Sequence, residues 1–126
     1  MNGVEIINGD IVKENEKGTV FEFDNRDSKK FLLIKRKKGT VSGEHYHTGK
    51  NPFKNPETLI ILEGEVEVYF KNIYTQEAFR KVYTNPVMFK LAPFIYHEII
   101  ACTDIVMLDM NGITSDVDDT IKGKIV

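Results

Sequence analysis

The chain has 126 residues, 41% hydrophobic and 29% charged, with 17 basic against 19 acidic residues and a net charge of −2. That length fits one domain around a single core, and the near-balanced charge gives no electrostatic reason to bind nucleic acid. A single cysteine excludes an internal disulfide; no apolar run reaches the ~18 residues of a membrane span, and no basic-then-apolar leader opens the chain, so a cytoplasmic protein with neither membrane nor nucleic-acid partner is expected.

Short apolar bursts follow one another along the chain. They are VEII (4–7), TVFEF (19–23), FLLIKR (31–36), TLIILE (58–63), EVEVYF (65–70), AFRKVY (78–83), VMFKLA (87–92), HEIIA (97–101) and IVMLDM (105–110). Val66, Val68 and Phe70 alternate with Glu65, Glu67 and Tyr69, the period of two that marks a half-buried strand. Turn residues punctuate the bursts at Asp24-Asn25, Lys38-Gly39, Glu63-Gly64, Asn85-Pro86, Thr103-Asp104 and Asn111-Gly112. No apolar helical period persists over three turns. Regularly spaced short strands predict an all-β antiparallel sandwich or small barrel in one domain, 1–126, with its core at about 18–111.

Three stretches fall outside this rhythm. The basic run Lys35-Arg36-Lys37-Lys38 reads as a strand end and solvated turn, or as an anion-binding patch. NPFKNPE (51–57) is a loop, because its two prolines remove ladder donors. The acidic segment 112–126 reads as a frayed tail, or as one that packs on a partner subunit.

Chemistry concentrates in GTVSGEHYHTGKNPFKNPETLIILEG (39–64). In an extended chain His45 and His47 project to one face and Tyr46 to the other. Glu57 shares a face with Leu59 and Ile61 and so points at the core. Buried imidazoles and carboxylates need partners, and a metal ion is one way to supply them. The third histidine, His97, opens a later strand. Metal ligation by His45, His47, Glu57 and His97 and a metal-free polar cavity both fit these residues.

The spacing resembles that of the cupin family. Gly39 to His47 matches G-x5-H-x-H, and Glu57 to Gly64 matches E-x6-G. Nine residues separate His47 from Glu57, a longer gap than the family usually has. NPVMFKLAPFIYH puts His97 in register with the second motif, although Pro86, Ala92 and Phe94 replace its usual glycine, proline and glycine. The resemblance implies a double-stranded β-helix, a jelly-roll barrel, holding a divalent ion (zinc, manganese, iron or nickel) at its open end. It also implies a homodimer, with TVFEF or 113–126 covering an exposed edge. PFIYHEI (93–99) is similar to a segment of small cupins that isomerise or epimerise nucleotide-linked keto sugars.

The main expectation is a metal-binding cupin that shifts a proton on a small carbonyl or carbohydrate substrate. One alternative is a metal-free nucleotide-sugar isomerase with His45 or His47 as base and a tyrosine, Tyr96, as acid. Others are an iron oxygenase or a non-catalytic binding barrel. Phe53, in the inserted loop, and Arg80 and Lys90 are the candidate substrate contacts.

Overall fold

The computed structural model describes residues 1–25, 30–111 and 118–124. Two five-stranded antiparallel sheets face each other. The first runs β1 (Val4–Ile7), β9 (Val87–Leu91), β6 (Glu57–Glu63), β11 (Ile105–Asp109) and β4 (Leu32–Arg36). The second runs β12 (Thr120–Lys122), β5 (Val41–His47), β10 (Ile95–Ala101), β7 (Glu65–Asn72) and β8 (Ala78–Thr84). This is the all-β jelly-roll barrel expected. Apart stands a hairpin, β2 (Asp10–Asn15) paired with β3 (Gly18–Glu22), whose residues are all exposed. Among the described residues no helix is long and apolar enough to cross a membrane.

The period of two explains the core. Val66, Val68 and Phe70 of β7 are fully buried, and they meet Ile95, Ile99 and Ala101 of β10 and Leu59, Ile61, Phe89 and Leu91 of the facing sheet. Burying each large side chain stabilises the fold by about 1.5–3 kcal/mol. Barrel strands lie at both ends of the chain: β1 pairs with β9 before residue 18, and β12 pairs with β5 beyond residue 111. The tail is therefore partly strand, while residues 112–117 lie outside the described residues. β2 was not foreseen, because DIVKEN lacks alternation.

The inserted segment after His47 folds into a short 3-10 turn, Pro52–Lys54, before β6 begins. Asn111, fully buried, fastens that junction: its side-chain oxygen accepts from the Thr58 N–H at 2.7 Å, and its amide donates to the Pro56 carbonyl at 3.2 Å. The start of β6, and with it Glu57, is thereby fixed against the end of β11.

Candidate active site

Two strands carry the three histidines inward, β5 with His45 and His47 and β10 with His97. His45 lies directly opposite His97 in the β5–β10 ladder, and His97 lies opposite Phe70 of β7. The imidazole rings crowd together, with centroids 4.9 Å apart for His45–His47 and 4.6 Å for His45–His97. Glu57 reaches them from the other sheet. Its Oε2 lies 2.9 Å from His47 Nε2 and 3.3 Å from His97 Nε2. Neither His47 Nε2 nor Glu57 Oε2 makes a hydrogen bond of good geometry, so their contact is an ion pair whose N–H is misaligned. The sequence thus brought together the four residues it singled out, within 4.8 Å of one another.

The far side of His47 is held by a residue that the sequence did not single out. Asp119 Oδ1 lies 3.1 Å from His47 Nδ1, while its Oδ2 accepts from the Gly49 and Asn51 N–H groups, each at 3.1 Å. Burial alone would lower the pKa of His47, but Glu57 and then Asp119 more than offset it and raise the pKa above its usual value. Glu57 is buried, which opposes ionisation; His97 and His47 nonetheless hold it below the usual carboxylate range. His45 differs. Burial, then the neighbouring His97, push it down to about 4, with Glu57 opposing and His47 adding to the fall. At neutral pH His45 is therefore a free base, while the carboxylates on either side of His47 favour its protonated form. His97 Nδ1 donates to the Ile95 carbonyl at 3.1 Å, which orients its Nε2 toward Glu57.

A cavity of about 140 Å³ opens on these groups between β4 and β5, lined by Arg36, Ser42, His45, Glu57, His97 and Asp109 among others. Arg36 Nε donates to Ser42 Oγ at 3.1 Å across that gap. Arg36 also lines an adjoining groove of about 450 Å³ with Lys35 and Lys37. The basic run therefore borders the site. The inserted turn adds Lys54, whose Nζ lies 3.4 Å from Asp109 Oδ2 and 3.9 Å from Glu57 Oε1. Burial and the charge of Glu57 raise the pKa of Asp109, while Lys54 and the Asn111 N–H oppose the rise.

Three expected contacts lie elsewhere. Tyr96 is fully buried on the face of β10 opposite His97 and donates to Glu98 Oε2 at 2.7 Å, so it does not reach the cavity. Arg80 is exposed on the outer face of β8, paired with Glu67 at 2.8 Å and stacked over Tyr69. Lys90 points outward, because Val87, Phe89 and Leu91 take the inward positions of β9. The Phe53 side chain lies outside the described residues. Asp109 was legible in hindsight, since Ile105, Met107 and Asp109 share the buried face of β11. Lys54 and Asp119 carried no signal, because loops have no period.

No family model and no curated protein matches the chain. Solved structures do. The sugar 3,4-ketoisomerase from Thermoanaerobacterium thermosaccharolyticum, in complex with TDP, shares 18% identity over 98% of this chain and 90% of its own, with a TM-score of 0.73. The TDP-quinovose 3,4-ketoisomerase from Campylobacter jejuni gives 13%, 98%, 95% and 0.72. The dTDP-4-dehydrorhamnose 3,5-epimerase from Sulfolobus tokodaii gives 15%, 87%, 70% and 0.70. At these identities the likeness establishes the fold.

It also corrects the expected divalent-metal cofactor. These sugar isomerases and epimerases act without a metal ion, and the ketoisomerase from Thermoanaerobacterium thermosaccharolyticum is described in complex with TDP and, as a point mutant, with TDP-4-keto-6-deoxyglucose.

Proposed function

We propose that the protein is a metal-free isomerase or epimerase of nucleotide-linked keto sugars, with His45 as the base. The observation that carries this reading is His45 itself, a half-buried imidazole held in its neutral form at the wall of a polar cavity. Removal of a proton from the carbon beside a ketone needs such a free base in contact with substrate. The low basicity of His45 comes from burial and neighbouring imidazoles, so an anionic ligand arriving at Arg36 raises it as it binds. His47 is held by Glu57 and Asp119, which raise its affinity for a proton and so favour negative charge developing on the substrate oxygens. The fold's solved examples support a TDP-sugar substrate. The sugar would enter the cavity, and the diphosphate would lie along the groove of Lys35, Arg36 and Lys37.

The test is incubation with TDP-4-keto-6-deoxyglucose in deuterated water, followed by proton NMR. The expected result is conversion to an isomer with deuterium at the shifted carbon, unchanged by EDTA and reduced about 100-fold or more in His45→Gln. Absence of both turnover and exchange, or loss of activity on chelation, overturns the reading.

We also propose that the protein is a homodimer. The β2–β3 hairpin supports it: Ile11, Val12, Val20 and Phe21 are 58, 53, 51 and 40% exposed, and an isolated two-stranded hairpin is marginal in water. The hairpin would gain its cover from a second copy.

A further inference from the structure

We propose that Asp109 is the second proton-transfer residue of this site, exchanging a proton with the sugar oxygens while His45 serves the carbon. The inference rests on the isomerase reading above.

A keto–hydroxyl shift moves two protons. One leaves a carbon and returns to its neighbour. The other leaves one oxygen and joins the adjacent one. His45 provides for the first, and the second needs an acid in the same cavity. Tyr96 cannot serve, since it is sealed on the opposite face of β10. Tyr83 packs against Phe89, and Tyr69 lies under Arg80 on the outside of the sheet. Of the polar residues that line the cavity, Arg36 does not release its proton at working pH. Glu57 is held as an anion by His97 and His47. Ser42 Oγ is taken up by Arg36, and His97 is engaged at both nitrogens, by the Ile95 carbonyl and by Glu57 Oε2. Asp109 remains. It ends the inward stripe Ile105, Met107, Asp109, is only 6% exposed, and forms part of the same cavity wall as His45.

Its orientation is built. Oδ1 accepts from the Asn111 N–H at 2.9 Å, and Oδ2 faces Lys54 Nζ at 3.4 Å. Lys54 comes from the inserted turn, so the insertion acts as a positioning element for a carboxyl on another strand. Burial and the charge of Glu57 raise the pKa of Asp109 against the opposing pull of Lys54 and the Asn111 N–H, a shift toward the form able to give a proton to a ketone oxygen.

The steps balance. His45 takes the proton from the carbon next to the ketone as the Asp109 carboxyl protonates the ketone oxygen, giving a neutral enediol, an imidazolium and a carboxylate. The neighbouring hydroxyl then returns its proton to the Asp109 carboxylate. The imidazolium protonates the former carbonyl carbon, and the ketone has moved by one position with both residues restored.

Asp109→Asn keeps size and hydrogen-bonding capacity but has no acid proton. With TDP-4-keto-6-deoxyglucose, kcat should fall about 100-fold or more. KM should stay within about threefold, and TDP binding and melting temperature should match wild type. A kcat within about threefold of wild type overturns the proposal. So does a fall in kcat accompanied by an equal loss of TDP binding, which would mark a structural role. If Asp109→Asn does not fold, Lys54→Met carries the test. Its kcat should drop about tenfold at unchanged KM and be restored in part by Lys54→Arg; a wild-type kcat in Lys54→Met overturns the proposal. A folded wild-type protein that neither turns over nor exchanges keto sugars removes the isomerase reading and this proposal together. An active wild type with an equally active Asp109→Asn removes this proposal alone.

Discussion

Within one small volume the same side chain is pushed in opposite directions, His45 toward its neutral form and His47 toward its protonated one. His45 and His47 are two positions apart, yet carboxylates reach only the second closely. The difference carries into stability. An unfolded histidine takes its proton near 6.5, whereas folded His45 resists it down to about 4. Between those values the unfolded state holds more protons, so stability falls as pH drops from 6.5 to 4. His47 works the other way: its raised pKa contributes stability that is fully present below 6.5 and is lost as pH rises through the folded value. Urea midpoints measured across pH should therefore peak between these limbs. His45→Gln should flatten the acid limb; an acid limb of unchanged slope in that variant would remove His45 as its source. The sequence showed His45, His47, Glu57 and His97 because each sits on a strand whose period fixes its face. Asp119 was invisible, since its hold on His47 depends on a short strand at the far end of the chain.

At the level of strands, the β5–β10 pair is the most demanding. Gly43 has φ of 91°, and a Cβ there would stand 2.6 Å from the His97 carbonyl oxygen. Gly39, the first residue of the histidine motif, has φ of 87° but open space around it. Gly43→Ala should therefore cost about 2–4 kcal/mol, combining left-handed strain with a backbone clash, against about 1–2 for Gly39→Ala. Urea denaturation of the two variants measures the difference, and equal losses would mean that the β5–β10 approach relaxes freely. Phe94 adopts φ of 66° where the family pattern has glycine, and its N–H still donates to the His47 carbonyl at 2.7 Å. The left-handed turn is thus made by a phenylalanine rather than a glycine, and it leads into the strand that carries His97. Alternation made β7 and β9 plain in the sequence. It gave no hint of β12, whose three residues are ordered by pairing with β5.

For the whole molecule, the barrel is complete within one chain but the hairpin is not. Its two strands contact each other and leave their apolar side chains in solvent. Introducing Val20→Lys together with Phe21→Lys should convert a dimer to a monomer in sedimentation velocity while leaving the barrel folded. A wild-type protein that sediments as a monomer at micromolar concentration would remove the dimer. The length of the chain and its strand rhythm announced a single barrel. They could not announce a detached hairpin, because nothing in the local pattern of GTVFE says which surface it covers.

The chain has three histidines, and all three line or adjoin one cavity. Imidazole carbon-bound protons resonate apart from most others, so the aromatic spectrum of this protein carries an almost private channel to its working centre. No surface histidine contributes background. A titration series yields the individual ionisation of each ring without isotope editing by site, and any ligand that enters the cavity announces itself in the same few lines. The crowding that sets the chemistry thus also makes the molecule its own indicator.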